Sequence, residues 1–206
     1  LVAGTASTGT ISVALKNAAG SAVTVESYTA LILSGPGLLG SGVQSAAATP
    51  DAIATGRAIT VKNGDSVGVF PDGSSGVSKI EIRTAAGVLI ATETVTFFGA
   101  VASIVATVVK PIIGVRAETG VITAVAKDAA GTTVTAPTLF ITSSDLTVVN
   151  ASGAAAASSA AGVATFGFTG LKAGTASFTV GNAATAATVS AAAVSVRVAG
   201  GAAALD

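Results

Sequence analysis

The sequence predicts an all-β chain built as two tandem β-sandwich modules, residues 1–100 and 101–206. Three observations carry that expectation. Apolar and polar residues alternate along most segments, the pattern of a strand with one face in a core and one in water. The apolar half of the composition is poor in aromatics (50% hydrophobic, 4% aromatic), so it consists mainly of Ala and Val with some Ile and Leu, beside much Ser, Thr and Gly. Small and β-branched side chains suit thin sheets packed face to face. Finally, two stretches of the first half return in order in the second. At 206 residues, two domains of about 100 residues each can bury a core.

The elements follow in chain order. Ile11, Val13 and Leu15 alternate with Ser12 and Ala14 and predict a strand, closed by a turn at Asn17-Ala18-Ala19-Gly20. Tyr28–Leu33 is the next strand, stopped by Ser34-Gly35-Pro36-Gly37. Ala58–Lys62 and Asp65–Phe70 flank Asn63-Gly64, a pair suited to a type I′ turn, so a hairpin is expected with Lys62 opposite Asp65. Pro71-Asp72-Gly73 reverses the chain again. Val77–Arg83 alternates Ser78, Ile80 and Ile82 with Lys79, Glu81 and Arg83, giving one core face and one wet face. Ala85-Ala86-Gly87 then leads into a last strand within Val88–Phe98. Phe97 and Phe98 point to opposite faces of it. Val95–Val109 is the most apolar run, but it is shorter than the roughly 20 residues of a spanning helix and rich in β-branched residues. Two strands meeting at a domain boundary near Gly99–Ser103 account for it, and no membrane-spanning segment is expected.

Lys16–Thr24 reappears as Lys127–Thr135, an offset of 111 (16 to 127), and Gly76–Ile82 as Gly174–Val180, an offset of 98 (76 to 174). The order is kept, so the first half carries 13 extra residues, assigned mostly to the Gly/Ser/Ala-rich loop Gly35–Thr55. Collinear matches of this kind indicate duplication. Ala151–Ala161 contains good helix formers interrupted by Ser and Gly and is expected to be loop.

These residues resemble the bacterial immunoglobulin-like modules found in tandem in invasin-type adhesins and surface-layer proteins. The resemblance rests on Lys127-Asp128-Ala129-Ala130-Gly131, on Ala161–Phe166 and on Gly170–Ala176 in the second half. Leu33–Gly37 and Asp72-Gly73 hold comparable places in the first half, so it spans roughly residues 8–198. Its motifs are turn chemistry and alternation, which specify fold more than function. The resemblance implies two tandem immunoglobulin-like β-sandwich domains with a secreted, structural role. The Cys…Trp…Cys core of antibody domains is missing, which excludes that branch.

Composition narrows the function classes. Ten basic and ten acidic residues give a formal net charge of zero, so nothing draws the chain to nucleic acid or an anionic membrane. A sparsely charged, neutral surface does not repel its own copies. With no Cys there is no disulfide or thiolate site, and with neither His nor Cys the commonest general base and the best nucleophile are absent. No catalytic residue and no cofactor is assigned. Gly35-Pro36-Gly37-Leu38-Leu39-Gly40 matches a dinucleotide-loop spacing but leads into Ser41-Gly42 rather than a helix, and is read as a sandwich loop. Asp65, Asp72, Glu118, Asp128 and Asp145 could offer oxygen ligands to calcium at loop ends, although turn residues are the ordinary reading of such Asp. Calcium use by surface arrays is what the resemblance implies. Phe166, Phe168 and Phe178 read as core, and Asn150-Ala151-Ser152 is a glycosylation sequon. The chain lacks Met and starts at Leu1, which fits processing or excision from a longer secreted protein. The expected role is a structural module of a secreted, self-assembling cell-surface protein (surface layer, sheath or filament), with copies of itself as partner. The alternatives are a spacer stalk of an adhesin and a phage decoration or tail protein.

Overall fold

The computed structural model describes residues 1–3, 9–23, 26–41, 54–151, 153–157 and 161–200. Every helix or strand among them is a strand, and the chain divides into two compact units, Leu1–Gly99 and Ala100–Asp206. Each is a sandwich of two sheets.

The first unit contains β1 (Gly9–Ile11), β2 (Tyr28–Ser34), β3 (Leu38–Ser41), β4 (Ala54–Gly56), β5 (Ala58–Val61), β6 (Val67–Phe70), β7 (Gly76–Thr84) and β8 (Leu89–Phe97). One sheet runs β5-β2-β7-β8 and the other β1-β6-β3-β4. Alternation places Tyr28, Ala30, Ile32, Ile80, Ile82 and Phe97 on the inner face of the first sheet, against Leu39, Val67 and Val69 from the second. Burying each Ile, Leu, Val or Phe side chain among them stabilises the sandwich by about 1.5–3 kcal/mol. Tyr28 is fully buried and satisfies its hydroxyl by donating to the Asp65 carbonyl at 2.6 Å. On the outer face of β7, Glu81 is covered by the guanidinium of Arg83 at 2.6 Å, two residues on and therefore on the same side.

The second unit contains β9 (Ser103–Val108), β10 (Ile112–Gly114), β11 (Ala117–Lys127), β12 (Thr138–Ser143), β13 (Val149–Asn150), β14 (Ala154–Ala157), β15 (Val163–Gly170), β16 (Gly174–Gly181) and β17 (Val194–Ala199). Its sheets are β10-β17-β16-β12-β14 and β13-β15-β11-β9. Phe168 stacks on Phe178 in the core, ring centroids 4.5 Å apart. The run Val95–Val109 is the end of β8, the boundary and β9, and no described helix is long and apolar enough to cross a membrane.

The repeat is structural as well as sequential. In both copies the turn is closed by the same bonds. Asn17 N donates to Ser21 O and Asp128 N to Thr132 O, both at 2.9 Å, while Val23 N reaches Leu15 O and Val134 N reaches Ala126 O. Gly20 and Gly131 both sit at φ 80°, a conformation open to glycine without cost. Further on, β7 flanked by β2 and β8 corresponds to β16 flanked by β12 and β17.

Four expectations are corrected. Asn63-Gly64 is a turn, with Asp65 N bonded to Lys62 O at 3.0 Å, yet it joins no hairpin. Positive φ occurs at Gly64 (96°) and not at Asn63, so the turn is not type I′. Its flanks separate: β5 pairs with β2, and β6 with β1 and β3. Val61 must face the core from one sheet and Val67 and Val69 from the other, and that burial decides sheet membership. Second, the strand expected through Leu15 ends at Ile11. Third, the loop expected over Gly35–Thr55 contains strand β3 at Leu38–Ser41, because Leu39 is needed in the core; residues 42–53 of it lie outside the described set. Fourth, Ala151–Ala161 includes strand β14, which pairs antiparallel with β12. Alanine favours helix and is a poor strand former, so the pairing offered by the open edge of β12 overrides its intrinsic preference.

Candidate functional site

The five acidic residues proposed as oxygen donors lie in separate turns, and no group of three or more His, Cys, Asp or Glu gathers among the described residues. Each has local work. Asp72 accepts from Gly37 N (2.7 Å) and Ser74 N (2.9 Å), tying two loops of the first unit together. Partial burial pushes its carboxyl up, and the amides of Gly37 and Ser74 with the Ser74 hydroxyl outweigh that and hold it below its ordinary value. Asp128 is buried, its Oδ1 accepting from Ala130 N and Thr132 N at 3.0 and 2.8 Å. Asp145 accepts from the Thr147 hydroxyl and amide, which lower its pKa in that order. Asp65 serves through its backbone, as turn donor and as the Tyr28 acceptor. Glu118 receives Arg116 Nε at 2.7 Å and Lys110 Nζ at 3.1 Å, and Arg116, then Lys110, holds its carboxyl below the usual range. This trio borders a shallow groove of about 620 Å³ along β10, with its charges already paired among themselves. Of the sequon, Asn150 ends β13 and is exposed, while Ser152 lies outside the described residues. Phe166, Phe168 and Phe178 are buried, as their alternation predicts.

Sequence reasoning missed the surfaces that stand out in the structure. Aliphatic side chains are exposed at the start of β8, an edge strand, with Val88 63%, Leu89 49% and Ile90 42% exposed. Ile112 on the edge strand β10 and Val115, just beyond it, are likewise uncovered. Alternation alone could have flagged Val88-Leu89-Ile90, since three consecutive aliphatic residues cannot all face a core from one strand. A second feature is a groove of about 190 Å³ in the first unit, lined by Ile11, Ser12, Val13, Ala14, Ile82, Ile90, Ala91 and Glu93.

No protein-family profile matches the chain, and no curated protein does. Solved structures do show likenesses. InvD of Yersinia pseudotuberculosis is 19% identical with a TM-score of 0.45, over 97% of this chain and 55% of that one. The D0-D1 domain of intimin is 15% identical with a TM-score of 0.32, over 92% of this chain and 88% of that one. Domains 4 and 5 of the surface-layer protein SbsC are 18% identical with a TM-score of 0.33, over 64% of this chain and 68% of that one. The chain thus spans about half the length of the InvD structure. These are bacterial immunoglobulin-like domains of adhesins and surface layers, and the likeness is one of fold.

Proposed function

We propose that the chain is a structural, non-enzymatic module of a secreted, self-assembling cell-surface protein: a surface layer, sheath or filament. The observation that supports this reading is the exposure of Leu89 and Ile90 on β8 with Val88 just ahead of it, and of Ile112 on β10 with Val115 just beyond it. Folded domains ordinarily guard edge strands with Lys, Pro or a covering loop, because free backbone beside apolar side chains recruits another chain. Here aliphatic residues stand at the edges of a chain with only 10% charged residues and no net charge. Each contact would be modest, and repetition along an array would supply avidity. Calcium binding at the acidic loops belongs to the same proposal and is separable from it.

Electron microscopy of the purified chain over a concentration series, with calcium and with a chelator, tests both. Ordered sheets, tubes or fibres support assembly, and their loss on chelation supports calcium at the loops. A chain that stays monomeric at every concentration and ionic condition overturns the assembly reading in favour of a spacer.

A further inference from the structure

The duplication provides a comparison within one molecule. In the second unit, Ile122–Lys127 pairs antiparallel with β9 along its whole length, from Ile122 opposite Val108 to Lys127 opposite Ser103. The shared turn that follows makes Ile11–Lys16 the counterpart of that segment. In the first unit Ser12–Leu15 belongs to no strand, and its one backbone bond among the described residues is Val23 N to Leu15 O. Yet Ile11, Val13 and Leu15 pack against the core with the alternation of a strand.

The 190 Å³ groove lies along this segment. Ile11–Ala14 form one wall, and Ile82 of β7 with Ile90 and Ala91 of β8 form the other. In the second unit β9 closes the corresponding place, touching β16 and β17, the counterparts of β7 and β8. It turns Ile104, Ala106 and Val108 inward and Ser103, Val105 and Thr107 outward. Three residues, Val109–Pro111, then carry it into β10, which lies parallel to β17. Val2 lies parallel to Phe98 in the same way.

We propose that the groove is the seat of one further β-strand of β9's kind: uncharged, built of β-branched and small residues, antiparallel to Ile11–Lys16, and running into Leu1 as β9 runs into β10. Such a strand pairs the backbone groups of Ser12–Leu15 that have no backbone partner among the described residues, and covers Ile90 and Ala91. It goes beyond the assembly reading and does not rest on it, since of the exposed residues cited there only Ile90 lines the groove.

The test grafts a copy of residues 103–112 directly ahead of Leu1 on the full chain and reads amide hydrogen exchange residue by residue. The expected result is at least about a hundred-fold slower exchange within Ser12–Leu15, with the second unit's amides unchanged. A second graft carrying Ala106→Pro in the copied stretch should leave that segment as fast as in the parent chain. Unchanged exchange in the first graft, or equal protection by the proline graft, overturns the proposal. So does protection by a free peptide of residues 103–109 when the graft gives none, because the strand would then enter from elsewhere.

Discussion

Replacing Asp128 by Ala removes the acceptor that closes the second unit's repeated turn, and the first unit contains the matching experiment at Asn17. Both side chains accept from the backbone amides two and four residues on, at 2.8–3.0 Å. They differ in surroundings: Asp128 is 5% exposed, while Asn17 lies at the surface. After Asn17→Ala, water takes over the two exposed amides, and the cost is about 0.5–1 kcal/mol. After Asp128→Ala, two partly buried donors lose a charged acceptor, and the cost is about 2–4 kcal/mol. In a domain of this size 1 kcal/mol moves the midpoint by about 4–8 °C. In differential scanning calorimetry the second unit's transition should therefore fall by about 8 °C or more for Asp128→Ala, and the first unit's by about 2–8 °C for Asn17→Ala. Asp128→Asn keeps an oxygen in place and should recover most of the loss. Equal costs at the two sites, or a cost below about 1 kcal/mol at Asp128, would refute the argument that burial sets the strength of this turn.

Three further outcomes are expected. Phe178→Ala, which empties a fully buried site stacked on Phe168, should destabilise the second unit by about 3–5 kcal/mol in urea titrations and leave the first unit's midpoint in place. Gly167→Ala would put a methyl group 2.6 Å from the Glu118 carbonyl oxygen and 2.9 Å from Thr119 Cα, where β11 bulges over β15, and should cost about 1–3 kcal/mol by the same assay. The Asp72 carboxyl has a folded-state pKa below its ordinary 3.8, so its contribution is present above that value and lost as pH falls through the lower, folded value. Midpoints of the first unit measured from neutral pH down into that range should fall more steeply for the parent chain than for Asp72→Asn.

Alternation in the sequence was enough to identify β2, β7, β8 and the Phe166/Phe168 strand, because a residue's side of a strand follows from its position alone. Turns were equally legible where a residue's own chemistry makes them: the Asn17 and Asp128 carbonyl or carboxylate oxygens reach their own backbone, and Gly20, Gly64 and Gly131 take a backbone form that other residues avoid. The duplication was visible too, and with it the pairing of the two units' turns.

What only the tertiary structure decided is which strand lies beside which. Asn63-Gly64 has the local chemistry of a hairpin, but its two flanks are drawn into opposite sheets by the shared burial of Val61, Val67 and Val69. Ala154–Ala157 becomes a strand because β12 offers it an edge, whereas Ser12–Leu15, with better strand residues, has no partner strand among the described residues. Acidic residues that could have formed a site were dispersed among separate turns. Periodicity and turn chemistry are properties of neighbouring residues and survive in the sequence. Strand pairing is a contact between distant segments, and its free energy exists only once the core has brought them together.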